Sequence, residues 1–230
     1  MVQEKHYRHE LKFAIPYTDY LMMRRRLQAV MTVDPHTRPD GRYLIRSIYF
    51  DNSDDKALRE KIDGVQKREK FRIRYYNDDL SFIRLEKKMK IDSLCLKYEA
   101  PLTEDECRRL LSGDLSWMPG HPEQLVHELY AKMRFQRLRP RVAVSYLREP
   151  YLYKAGNVRV TFDMQIRTSL YSRDFLTREI SDITATDTPH DMILEVKYDA
   201  YLPDVIRDVI QTDGMRQQAF SKYGVCRRYG

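Results

Sequence analysis

Charged residues recur at every second position in several short stretches of this chain. Arg8, Glu10 and Lys12 are spaced this way, as are Lys70, Arg72 and Arg74, and then Arg84, Glu86, Lys88 and Lys90. Lys97 with Glu99, Arg159 with Thr161 and Asp163, and Glu195 with Lys197 repeat the pattern. The alternate positions are mostly apolar: Leu11 and Phe13, Phe71, Ile73 and Tyr75, Ile83 and Leu85, Val158, Val160 and Phe162, Leu194 and Val196. Side chains alternate faces along a strand, so each stretch reads as a strand with one apolar and one charged face. Together the charged faces carry eleven Lys or Arg against five Asp or Glu. A half-solvated sheet also shows this alternation, but a face that only meets water mixes its signs to limit repulsion. Concentrated cations with few carboxylates suit a polyphosphate–metal ligand. Guanidinium and ammonium groups hold phosphate oxygens, and a carboxylate holds a hard divalent ion.

Such faces need elements to position them. The alternation predicts strands near 7–15, 43–51, 68–76, 80–91, 93–99, 141–151, 157–163, 165–171 and 192–198. Short turns such as Asn77-Asp78-Asp79 favour an antiparallel sheet or barrel. If the charged faces point inward, the apolar faces must be covered outside by helices. Thr18 to Met31 predicts one, with Thr18 as N-cap and Tyr20, Leu21, Met23, Leu27 and Val30 as its apolar side. Thr103-Glu104-Asp105-Glu106 is a capping box opening a helix that stops at Gly113. Pro122 to Leu138 places Leu125, Val126, Leu129, Met133 and Phe135 at helical spacing, and Pro203 can begin another helix through Val205, Ile206 and Val209.

The chain's 230 residues are enough for one large domain spanning 1–230, and no Gly/Ser linker or repeat divides it. Its formal net charge of +7 points to an anionic partner: nucleic acid, a phosphorylated small molecule or a membrane surface. No apolar run approaches the ~20 residues that span a bilayer. The first residues, Met1-Val2-Gln3-Glu4-Lys5-His6, hold no apolar signal core. Cys95, Cys107 and Cys226 are scattered and read as free thiols, so a cytoplasmic protein is expected. The six histidines (His6, His9, His36, His121, His127, His190) lack metal-ligand spacing, and His9 reads as a packing residue. No P-loop or G-x-S-x-G elbow is present. Tyr75, Tyr76, Tyr146, Tyr151 and Tyr153, interleaved with Arg, leave open a barrel that stacks single-stranded nucleic acid. Tyrosine is also an ordinary strand former, so nucleic acid is the weaker partner assignment.

Several pieces occur together and in order: Arg8-His9-Glu10-Leu11-Lys12, Ser47-Ile48-Tyr49-Phe50-Asp51-Asn52, Arg72-Ile73-Arg74-Tyr75-Tyr76, Leu85-Glu86-Lys87-Lys88, Leu138-Arg139-Pro140, Val158-Arg159-Val160-Thr161-Phe162-Asp163, Leu194-Glu195-Val196-Lys197 and Phe220-Ser221-Lys222. From about Arg8 to Lys222 the chain resembles the VTC domain, the polyphosphate polymerase domain of the vacuolar transporter chaperone, within the triphosphate tunnel metalloenzyme superfamily. The resemblance implies an α+β fold: a closed antiparallel barrel of about eight strands, with helices outside and a C-terminal helix at the tunnel mouth. It implies Mn2+- or Mg2+-dependent transfer of a nucleoside triphosphate's γ-phosphate onto a polyphosphate chain. By matched motif, Lys12, Arg72, Arg74, Lys88, Lys97, Arg148, Arg159 and Lys197 would line the tunnel, with Glu10 among the substrate-binding residues. Glu195 would hold the metal, and Ser221 and Lys222 would contact phosphate.

The hydrolytic branch of the superfamily typically begins Glu-x-Glu-x-Lys, whereas this chain reads Arg8-x-Glu10-x-Lys12. Losing a metal-binding carboxylate favours the polymerase-like branch or pure binding over water activation. Neither the inositol-phosphate-sensing domain nor the membrane segments of the fungal complex are expected here, so its translocation and regulation are not carried over. A triphosphatase of the same fold and a silent polyphosphate-binding module remain alternatives.

Overall fold

The computed structural model describes residues 8–91, 94–169, 174–178, 182–185, 192–212 and 215–229. In chain order the elements are β1 (His9–Ile15), α1 (Tyr17–Val30), β2 (Thr32–Val33), β3 (Tyr43–Asp51), α2 (Lys56–Ile62), β4 (Lys67–Tyr76), β5 (Asp79–Ile91) and β6 (Leu94–Leu102). There follow α3 (Glu104–Ser112), α4 (Gln124–Phe135), β7 (Arg139–Tyr153), β8 (Val158–Ser169), β9 (Ile183–Thr184), β10 (Met192–Tyr198), α5 (Asp204–Ile210) and α6 (Lys222–Tyr229). One ten-stranded sheet runs in the order β1-β10-β8-β7-β3-β4-β5-β6, with β2 beside β7 and β9 beside β8. Every pairing is antiparallel.

The α+β architecture with one large antiparallel sheet follows the expectation; the described residues do not close that sheet by a hydrogen-bonded ladder. Among the described residues no ladder joins β6 back to β1; the two edges meet at a single isolated bridge, Arg8–Cys95. Tyr7 and Ser93, where the expected edge strands begin, lie outside the described residues.

Helices cover the apolar outer faces in two groups. One cluster packs Cys107 and Leu110 of α3 and Leu125, Val126, Leu129 and Met133 of α4 on Phe71, Ile73, Ile83 and Leu85. Another packs Tyr20, Met23 and Leu27 of α1 and Ile206 and Ile210 of α5 on Phe13, Val160, Phe162, Leu194 and Val196. The capping box at Thr103 and Glu106 forms as read, and Gly113 closes α3 at φ 91°. Here the sequence pattern and the packing agree.

Other expectations are corrected. Pro16, not Thr18, occupies the N-cap of α1, without a side-chain cap, and Leu21 is exposed. Phe135 ends α4 pointing into solvent at 86% exposure, and Val205 is exposed on α5. His9 is exposed and stacks on Tyr198 at 5.0 Å rather than packing inside. The two strands expected at 157–163 and 165–171 are one strand, β8. Gln165 takes φ 52° there, and the β7–β8 register shifts between Ser145 and Leu147. A bulge changes the phase of the alternation without ending the strand, which is why one element read as two; Leu170 and Tyr171 lie outside the described residues.

The inner, concave side is closed at one end by α6. Tyr223 and Cys226 of α6 join Tyr49, Val142, Val144 and Tyr146 in a third cluster. Asp51 at the end of β3 ties this corner together. Its carboxylate accepts from the Ala57 and Leu58 backbone amides at the start of α2 (2.9 and 3.2 Å) and from the Tyr223 hydroxyl (2.6 Å). Arg227 of α6 pairs with Asp55, 3.1 Å away.

Candidate functional site

Two cavities of about 300 and 270 Å3 lie along the concave face and share Glu10, Lys12, Lys70, Lys88, Cys95 and Ser221 in their walls. The smaller gathers all twelve residues singled out from the sequence: Lys12, Arg72, Arg74, Lys88, Lys97, Arg148, Arg159, Lys197, Glu10, Glu195, Ser221 and Lys222. Its wall carries eleven Lys or Arg against three Glu, together with Tyr43, Tyr49, Tyr76 and Tyr146. The larger adds Arg68, Glu69 and Lys90 from the end of the β4–β5 pair remote from its turn, and Lys61 from α2. Arg84, counted from the sequence on the same face, lines neither cavity; it stacks 4.2 Å from the Phe82 ring centroid.

Strand register explains the arrangement. Arg72 faces Glu86 across β4 and β5, Lys12 faces Glu195 across β1 and β10, and Arg148 faces Asp163 across β7 and β8. Each carboxylate therefore lies between cations. Arg72 Nε donates to Glu86 at 2.5 Å, and Lys97 reaches the other oxygen at 2.9 Å. Glu10 joins Lys88 at 2.5 Å and Lys12 at 2.6 Å, and the Lys88 pair spans the β1 and β5 walls. Glu195 meets Arg148 at 2.9 Å, Lys197 at 3.4 Å and Lys12 at 3.6 Å. Asp163, fully buried, takes two bonds from Arg148 and pairs with Lys222.

Burial raises the Glu195 carboxyl, but Lys197, Lys12, Arg148 and Lys222 outweigh it and hold the group well below the usual carboxylate range. Glu86 and Asp163 are likewise held low, burial being overcome by Arg72 and Arg74 in the first case and by Arg148 and Lys222 in the second. These carboxylates stay ionised, so the cations around them are partly neutralised before any ligand binds.

Two cations differ. Arg74 spends its guanidinium on neutral groups, donating to Ser47 Oγ and the Tyr146 hydroxyl at 3.0 Å each. Lys70 lies 5.5 Å from the Tyr49 ring centroid. Burial first, then Lys88, Lys12 and Arg72, lower the Lys70 ammonium to about 8 against an opposing pull from Tyr49. Tyr49 in turn is pulled below the usual phenol range, since Arg72, Lys70 and Arg74 outweigh its burial. Arg72 Nη1 donates to its hydroxyl at 3.1 Å. Positive charge is therefore in excess around Lys70 and Tyr49.

Helix α6 adds to it. Ser221 caps the helix, its Oγ accepting from the Gly224 amide at 3.2 Å, and Lys222 lies 4.6 Å from the Tyr146 ring centroid. The first turn therefore directs partial positive charge, as well as an ammonium, at the cavity. Arg159 is held at the rim by Asp34 at 3.1 Å and by the Tyr43 hydroxyl.

Sequence reasoning missed Tyr43, Tyr49 and Asp34 as wall or support residues, and left Lys70, Glu86 and Asp163 out of its site set although it placed them on charged faces. For the tyrosines the available signal was parity: Tyr43, Ser47 and Tyr49 share the inner face of β3. Asp34 lies in a connection, where no periodicity points to it.

A divalent ion has a partial fit. Among the described residues no group of three His, Cys, Asp or Glu could hold a metal by themselves. Glu10 and Glu195 both address Lys12 Nζ, so two carboxylates converge on one point. Mg2+-type sites commonly use one or two carboxylates and complete their shell with phosphate oxygens and water. The donor set fits an ion that arrives with a phosphate ligand.

The sheet's charged face thus borders a basic cavity, with helices outside and a C-terminal helix at one end. The family model described as the VTC domain matches residues 7–229, and the chain belongs to that family. No curated protein matches it in sequence. Among solved structures, a candidate adenylate cyclase from Bacillus halodurans shares 14% identity over 89% of this chain and 86% of its own, at TM-score 0.50. HpAC1 from Hippeastrum, a candidate adenylyl cyclase described with a dominant triphosphatase activity, shares 12% identity over 97% of this chain and 96% of its own, at TM-score 0.51. At these identities the likeness is one of fold. Among the described residues no helix is long and apolar enough to cross a membrane.

Proposed function

We propose that this chain is a phosphotransferase that moves the γ-phosphate of a nucleoside triphosphate onto a polyphosphate chain, as one domain working with Mn2+ or Mg2+. The observation that carries the reading is the charge of the wall, eleven Lys or Arg against three Glu, continued by Lys61, Arg68 and Lys90 against Glu69 in the adjoining cavity. Cations continued through two adjoining cavities suit a linear polyanion. Phosphoryl transfer requires positioning and charge neutralisation more than a protein nucleophile. The residues present supply both. Arg72 and Arg74 would clamp the transferring phosphate, and Lys70, Lys88, Lys197 and Lys222 would neutralise the rest of the chain. Glu195, with Glu10, would hold the divalent ion, which when bound supplies further charge neutralisation.

A triphosphatase is the second reading, favoured by the activity described for HpAC1. Against it stands Arg8, which occupies the position of an early carboxylate, pairs with the Asp199 carboxylate and donates to the Asn157 carbonyl at the cavity rim. Incubating the protein with γ-labelled ATP and manganese separates the readings. Gel-resolved polymer supports transfer, free phosphate supports hydrolysis, and unchanged ATP leaves a binding module.

A further inference from the structure

The inner faces of β4 and β5 change character at their hairpin end. Moving outward along β4, the inner positions are Arg72, Arg74 and Tyr76; moving outward along β5 they are Glu86, Arg84 and Phe82. Asn77 and Asp78 turn the hairpin with φ 52° and 58°, which brings Tyr76 and Phe82 side by side. Their ring centroids lie 6.3 Å apart, and Arg84 stacks on Phe82. Tyr76 is in the cavity wall, with the Arg74 guanidinium 6.0 Å from its ring centroid, and Tyr43 meets its edge at 5.6 Å. Phe82 is 47% exposed, although an exposed aromatic at a hairpin tip gains nothing from burial. The other end of the same hairpin presents Arg68 and Lys90. One end of the concave face is therefore basic, and the other ends in aromatic rings and a stacked guanidinium.

An inorganic phosphate chain offers no π-face and needs only cations. A nucleoside triphosphate offers a planar base a short step beyond phosphates gripped by Arg74. We propose that Tyr76, Phe82 and Arg84 form a base-stacking platform, and that the nucleotide enters at this end with its phosphates directed inward. Stacking is tolerant of base identity, because every base has a π-face and arginine can stack as well. Purines, with more surface, bind here better than pyrimidines. The platform rests on the reading of the cavity as a triphosphate tunnel.

The test compares ATP, CTP and inorganic tripolyphosphate as ligands, in chelator so that no turnover occurs. Phe82→Ala weakens ATP binding about five- to 150-fold, the span expected for losing one stacked base, and leaves tripolyphosphate binding unchanged. Phe82→Trp restores ATP binding, and its added fluorescence responds to ATP but not to tripolyphosphate. If wild-type protein binds tripolyphosphate while Phe82→Ala loses no ATP affinity, or loses the same factor for both ligands, the platform is overturned and the tunnel reading stands. If wild-type protein binds no tripolyphosphate, the tunnel reading fails and takes the platform with it.

Discussion

Arg148 and Asp163 face each other across β7 and β8 and are joined by two hydrogen bonds of 2.5 and 2.7 Å, with side chains 8% and 0% exposed. The same guanidinium reaches Glu195 at 2.9 Å. Arg148 thus holds two buried carboxylates in place before any phosphate arrives. Its role is different from that of Arg74, although both look alike in the sequence.

The stability of the fold distinguishes them. Arg148→Ala would leave Asp163 and Glu195 short of a cation in a buried site, and breaking such a pair costs about 3–5 kcal/mol. Urea unfolding of the variant is expected to show a loss of that order. A loss under about 1 kcal/mol, the scale of an exposed pair, would show that these charges are better solvated than their burial implies.

Arg74 and Arg72 are expected to report on binding instead. Arg74→Ala removes a guanidinium with only neutral partners, so tripolyphosphate affinity falls by about 1.5–3 kcal/mol, the scale of hydrogen bonds to charged groups. Arg72→Ala weakens binding too, and also destabilises the fold because Glu86 loses the guanidinium paired with it, keeping Lys97 as its ion-pair partner and Arg74 as a more distant charge. Isothermal titration and thermal melts on the two variants check the split. Intact binding in both would mean that these side chains do not meet phosphate.

The contrast between these arginines shows where sequence reading stops. Alternation placed Lys12, Arg72, Arg74, Lys88, Arg159 and Lys197 on one face, because the strand period is fixed by backbone geometry. It could not show which cation would be spent on which carboxylate, since that depends on the register between strands distant in sequence. Helix α2 went unread for a related reason: it buries no residue fully, so Lys56–Ile62 has no apolar periodicity to detect. The bulge at Gln165 was likewise invisible, because nothing in the residue types marks the change of phase. Closure of the sheet depends on how its two edges meet, which no strand's own pattern records.

Lys70 gives the site a pH dependence. Its ammonium titrates near 8 in the folded protein, below the ordinary 10.5, because burial and neighbouring cations disfavour its charge. Between these values the unfolded chain holds the proton more tightly, so this group makes the ligand-free fold more stable as pH rises from about 8 towards 10.5. A bound polyanion reverses the preference and favours the charged form. Tripolyphosphate binding is therefore expected to take up a proton above pH 8 and to weaken as pH rises further. Calorimetry in buffers of different ionisation enthalpy measures the uptake. Lys70→Met is expected to bind less tightly at pH 7 and to lose part of the slope; an unchanged slope would assign the proton to another group.

Glu195 sits where charge and metal binding are hardest to separate. Its carboxylate is held ionised by Lys197, Lys12 and Arg148, and lies with Glu10 about Lys12 Nζ. A structural role and a metal-holding role both require the negative charge, but they differ in what happens when it is removed. Glu195→Gln keeps the shape and can still accept a hydrogen bond from Arg148. As a metal ligand it would be poor, so manganese-dependent turnover should collapse, while polyphosphate binding in chelator is retained or tightened because one negative charge has left the wall. If Glu195 only neutralises Lys12 and Lys197, the same variant would melt at a lower temperature and keep the wild-type manganese dependence. Measuring turnover against manganese concentration beside chelator-phase binding and thermal melts separates the two, and wild-type-like metal activation in Glu195→Gln would rule out the ligand role.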